Sequence, residues 1–134
     1  MNGLVHKAVI APDLLAGAFF DPICRRVLTQ WRNGLLKPVL NRELLIAYLK
    51  ILHKLGLRPE DIQRWTAWFT SNSKVVYLGD LIAQAASGWE LCRAVASAEL
   101  ECAIISWRLP EDQNRVDSTI IFTADEWIRK VNGS

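Results

Sequence analysis

The chain has 134 residues and a mass of 15.2 kDa, enough for one domain with a sizeable core. Apolar residues make up 51% and charged residues 22%, which excludes a disordered chain, a collagen-like repeat and an acidic tail. The formal net charge of +2 names no polyanionic partner for the chain as a whole.

The first apolar stretch, Ala8 to Phe20, is shorter than a membrane-crossing helix and is broken by Pro12 and Asp13. A cytoplasmic, unprocessed protein with no membrane association is therefore expected. Cys24, Cys92 and Cys102 are odd in number and form no C-x-x-C pair, so reduced, buried thiols are expected. At the start of the chain, His6–Ala11 reads as a short strand stopped by Pro12, which cannot donate to a ladder. Asp21-Pro22 has the pattern of a helix start, an N-cap followed by proline, for a helix over Ile23–Trp31 that Asn33-Gly34 ends.

Lys37–Leu40 is a second strand, and Asn41 is a good N-cap for the helix Glu43–Leu55. Leu44, Leu45, Tyr48, Leu49, Leu52 and Leu55 recur along that helix at helical spacing, and Leu45, Tyr48, Leu49 and Leu52 are expected in the core. Arg58-Pro59-Glu60 opens a helix running to about Ser71. Val75–Leu78 reads as a strand, Leu81–Ala98 as helix with a break at Ser87-Gly88, and Ala103–Trp107 as a buried strand. Ser118–Phe122 is the last strand and Asp125–Val131 the last helix. Apolar strands without alternation are expected where helices cover both faces of a sheet. The order of elements predicts a single three-layer α/β/α domain over 1–134 with a mainly parallel sheet.

Charge is uneven along the chain. Residues 21–64 hold nine Lys and Arg against four Asp and Glu, and the remainder holds seven against ten. The basic segment reads either as solvated helix faces or as a side that faces an anion.

Three segments carry a family resemblance. The first is the opening strand followed by Leu14-Leu15-Ala16-Gly17-Ala18. The second is Pro22 to Leu52, with its Trp31-Arg32-Asn33-Gly34 helix end. The third is Ile120 to Ile128, I-I-F-T-A-D-E-W-I. Together and in this order they resemble the PIN-domain family, in the branch of toxin components of bacterial toxin–antitoxin systems. The resemblance implies a PIN-like fold, a homodimer, and RNA or an antitoxin-like protein as partner. It also implies metal-dependent cleavage of single-stranded RNA, with carboxylates holding Mg²⁺ or Mn²⁺ at the carboxyl ends of the strands.

The residues that match those carboxylates depart from the pattern. Ala11 stands at the end of the first strand, Ala47 on the helix after the second, and Arg108 in Ser106-Trp107-Arg108 after the fourth. Only Glu90, in Gly88-Trp89-Glu90, keeps an acid. Neutral apolar side chains cannot serve a hard cation, and a guanidinium repels one. The resemblance therefore implies a decayed site, with no catalytic residues, no metal and no cofactor, and a remaining role in binding RNA or a protein. The alternative is an active Mg²⁺- or Mn²⁺-dependent endoribonuclease that uses the displaced acids Asp13, Glu43 and Glu90. Each of those acids also has a structural reading, as helix-start or first-turn charge.

Other chemistry is poorly supplied. His6 and His53 lie on different elements without ligand spacing for zinc, and no phosphate-binding glycine motif is present. Cys24 near a helix start reads as a packing cysteine rather than an activated thiol. Of the six tryptophans, Trp31 and Trp127 fall on core-facing positions. Trp65 and Trp68 share a helix face suited to a core or dimer contact. Trp89 and Trp107 lie where the family keeps its acidic pocket, either filling that site or packing ordinarily.

Overall fold

A computed structural model describes residues 5–71, 73–79, 88–99, 102–108 and 120–132. In chain order the elements are β1 (His6–Ile10), α1 (Pro12–Gly17), α2 (Pro22–Arg32), β2 (Leu36–Leu40), α3 (Arg42–Lys54) and α4 (Pro59–Phe69). They continue as β3 (Val76–Tyr77), α5 (Gly88–Ser97), β4 (Cys102–Ser106), β5 (Ile121–Thr123) and α6 (Ala124–Asn132). All four pairings are parallel and the strand order is β3-β2-β1-β4-β5.

Successive strand side chains point to opposite faces, and both faces are covered. Val9, Val39 and Ile104 join one buried cluster with Leu44, Tyr48 and Leu52 of α3, Phe69 of α4, and Leu91 and Val95 of α5. Ala8, Ile10, Leu36 and Ile105 join a second with Cys24 and Val27 of α2, and Trp127 and Ile128 of α6. These are the three layers expected from apolar strands that do not alternate.

The caps follow the sequence signals. Asp21 Oδ1 accepts from Ile23 N (3.0 Å), with Pro22 in the first helical position of α2. Asn41 Oδ1 accepts from Leu44 N (2.9 Å) at the start of α3. Gly34 and Gly56 follow α2 and α3 at φ +79°, a conformation that suits glycine.

Several expectations need correction. The helix α1 was not legible, because six residues hold too little periodicity to show one. Ala11 and Trp107 fall just outside β1 and β4, and the last strand reaches Thr123. Ser118 and Thr119 of the expected last strand, and residues 81–87 of the expected long helix, lie outside the described residues. On α3 the buried residues are Leu44, Tyr48 and Leu52, while Leu45 and Leu49 are half-buried at the flank of the core. The helix turns 100° per residue, so a row at i, i+4, i+8 takes the centre and its neighbours take the edge. Cys24 and Cys92 are buried and Cys102 is partly exposed; all three are free thiols.

Candidate functional site at the carboxyl ends of the strands

The chain passes from β1 to β2 and β3 on one side, then returns to β4 and β5 on the other. The order reverses between β1 and β4, and such a switch point opens a crevice at the carboxyl ends of the strands. The residues that line this point are Ala11 to Asp13 after β1, Ser106 at the end of β4, and Trp107 and Arg108 after it.

Ala11 N donates to Ile105 O (2.8 Å), which carries the β1–β4 ladder one step past the strand. The Ala11 methyl is buried in the same cluster as Leu15 and Leu44. Asp13 lies in the first turn of α1. Its Oδ1 accepts from Trp107 N and its Oδ2 from Arg108 N, both at 3.2 Å, so one carboxylate ties the first two residues after β4 to α1. Burial pushes the Asp13 carboxyl above its ordinary 3.8, against the pull of those two N–H groups.

The residues Ser106 to Arg108 at the end of β4 are tied down further. The Ser106 hydroxyl, fully buried, donates to Arg108 O (2.8 Å). Trp107 Nε1 donates to Asp21 Oδ2 (3.0 Å) at the start of α2. The bonds from Ile23 N and Trp107 hold the Asp21 carboxyl below its usual range. The indole lies against Gly17, where an added Cβ would stand 2.6 Å from Trp107 Cδ2. The exposed Arg108 guanidinium sits 4.7 Å over the centroid of the same ring. Beyond it, the starts of α2 and α6 bound a shallow concavity of about 410 Å³ with Asp21, Trp107, Arg108, Thr123 and Asp125 on its walls. Thr123 and Glu126 bond reciprocally there, Glu126 N to Thr123 Oγ1 (3.2 Å) and Thr123 N to Glu126 Oε1 (2.9 Å), which is a capping box.

The remaining expected site residues are dispersed. Ala47 is half-buried in the second turn of α3, beside Tyr48, whose hydroxyl donates to Ile10 O. Glu43 Oε1 accepts from Asn41 Nδ2 (2.9 Å), and Glu90 is exposed in the first turn of α5. Trp89 is in that turn too. Burial lifts the Cys24 thiol to about 12, the reverse of activation, despite its place in the first turn of α2.

The donor chemistry does not fit the Mg²⁺ or Mn²⁺ that the resemblance implies. Ala11 and Ala47 offer no oxygen side chain, Arg108 is a cation, and both oxygens of Asp13 are already bonded to backbone N–H groups. Among the described residues no group of three or more His, Cys, Asp or Glu stands where it could hold a metal ion. Ser106 belongs to the expected pocket with Trp107 and Arg108, and stands with them at the end of β4. Asn41 and Asp21 are polar groups at this end of the sheet that sequence reasoning reads only as caps. Comparison with protein-family models, curated proteins and solved structures finds no match for this chain.

Proposed function

We propose that the protein is a PIN-like binding module whose nuclease site has decayed, and that it binds single-stranded RNA. One observation carries the loss of catalysis. At the switch point of the sheet, Asp13 spends its carboxylate on Trp107 N and Arg108 N, while Ala11, the residue matching the first metal acid, is part of the apolar core. One carboxylate that already ties down two backbone donors, with alanine where the resemblance expects a second acid, falls short of the oxygen ligands a hard divalent cation needs.

RNA as the partner rests on charge placement. The exposed residues of α3 are Arg42, Ile46, Lys50, His53 and Lys54, a basic stripe with no exposed acid. Phosphate contacts supply most of the affinity in such binding and make it salt-dependent. The toxin–antitoxin resemblance adds an antitoxin-like protein as the other partner class, and a homodimer as the assembly.

The test mixes protein with labelled single-stranded RNA and Mn²⁺, follows binding by anisotropy at two salt concentrations and follows the RNA on a gel. Intact RNA, salt-sensitive binding, and loss of binding in Lys50→Glu, Lys54→Glu are expected. Cleavage that disappears in a Glu43→Ala, Glu90→Ala double variant would promote the displaced-acid endoribonuclease with Asp13. Intact RNA without binding would point to a protein partner.

A further inference from the structure

A second concavity, remote in sequence from the strand-end residues after β4, lies between α2 and α4. It measures about 380 Å³, within the usual range for small-ligand sites. Trp31 forms its buried floor, Trp65 and Trp68 its half-buried walls, and Phe19 its lip, with Arg32, Arg64 and the carboxylate of Asp61 also lining it. The rings brace one another: Trp31 meets Trp68 edge-on at 5.5 Å, and Phe69 stacks on Trp31 at 5.2 Å behind them. The aromatic surface is therefore held in place before any ligand arrives.

Two kinds of polar group there are left over. Trp31, Trp107 and Trp127 each donate their Nε1 hydrogen, to Lys74 O, Asp21 and Gln30. Among the described residues the half-buried Trp65 and Trp68 have no such protein acceptor, and their N–H groups are open to water or to a ligand. The cations are also in excess. Arg58 (3.4 Å) and Arg64 (3.7 Å) share the one carboxylate of Asp61. The Arg32 guanidinium has no ion-pair partner among the described residues, and its charge rests 5.9 Å over the Trp68 ring.

We propose that this cleft binds a small planar aromatic anion, a flat ring carrying one carboxylate or phosphate. The ring would stack on indole. Its anionic head would take Arg32, a donor suited to both carboxylate and phosphate, and would find the free indole N–H groups beside it. A neutral ring leaves the unpaired cation unused, and a cationic one is repelled by it. The site is independent of the RNA-binding reading and does not involve the α3 stripe.

The test titrates the whole protein by calorimetry with 2-naphthoate, with its neutral counterpart 2-naphthamide, and with adenosine 5′-monophosphate. Saturable one-to-one binding of 2-naphthoate is expected, with 2-naphthamide about tenfold weaker, the size of one charge-assisted hydrogen bond. Arg32→Gln should weaken naphthoate to the level of the amide and leave the amide unchanged, and Trp68→Leu should weaken both. Displacement of naphthoate by the nucleotide, or its failure to displace, supports the site equally and names the phosphate or the carboxylate as its natural head. No saturation at millimolar ligand, or equal affinity for acid and amide, overturns the proposal, and that comparison needs no variant to fold.

Discussion

Asp13 holds the backbone of Trp107 and Arg108 and Asp21 holds the Trp107 indole, and burial and hydrogen bonding move their carboxyls in opposite directions. The raised carboxyl of Asp13 keeps its proton in the native state at pH values where the unfolded chain has lost it. Its contribution to stability is present below 3.8 and is lost as pH rises through the raised native value. The lowered carboxyl of Asp21 works the other way: its contribution is present above 3.8 and is lost as pH falls through the native value. Urea unfolding across the acidic range should show this directly. Asp13→Asn should remove a decline of stability with rising pH, and Asp21→Asn should remove a loss on acidification. Profiles parallel to that of the parent would mean that neither carboxyl titrates as its surroundings imply. Gly17→Ala tests the same residues from beneath. Its methyl would meet the Trp107 ring at 2.6 Å, so the indole must move off Asp21. A loss of ~1–3 kcal/mol in unfolding free energy is expected, the usual range for overpacking, with a change in tryptophan fluorescence.

Helix α3 ties the core to the strand ends. Its buried row, Leu44, Tyr48 and Leu52, faces β1 and β2, and Tyr48 reaches the carbonyl of Ile10. Leu52 is fully buried, so Leu52→Ala should cost ~2–5 kcal/mol in denaturant unfolding. Leu49→Ala, at the half-buried edge, should cost clearly less, because a flank position can relax or admit water. Equal losses would mean that Leu49 is as central as Leu52. The periodicity of α3 was strong enough to give the helix and its apolar side from sequence. Which of two adjacent apolar rows takes the centre depends on how the helix rolls on the sheet, and no single helix encodes that.

Among the described residues, five parallel strands are enclosed by helices on both faces, so the carboxyl ends of the strands form one rim where a crevice opens. The basic stripe of α3 and the aromatic cleft of α2 and α4 are separate surfaces with separate proposed roles. Trp65 and Trp68, read from sequence as a core or dimer contact, turn toward Trp31 and Phe69 of their own chain. Light scattering tests the homodimer: a mass of about twice 15.2 kDa is expected, and a monomer at every accessible concentration would remove it.

The sequence by itself determined the layers. Continuous apolar strands demand cover on both faces, and Asp21-Pro22, Asn41 and Gly56 set helix limits through local backbone chemistry that needs no distant partner. It also determined that alanine and arginine stand at positions 11, 47 and 108, where the proposed PIN-like reading expects acids. Tertiary structure alone decided what surrounds those positions. Asp13 and Trp107 are 94 residues apart, and Asp21 and Trp107 are 86 apart. Their bonds exist only because β1 and β4 become neighbours at the switch point. The same holds for the aromatic cleft, where Phe19, Trp31 and Trp65 come from three segments whose sequence spacing carries no sign of a shared surface. Local signals fix elements because their causes lie within a few residues. A site fixes its partners by juxtaposition, which arises only when the sheet order is set.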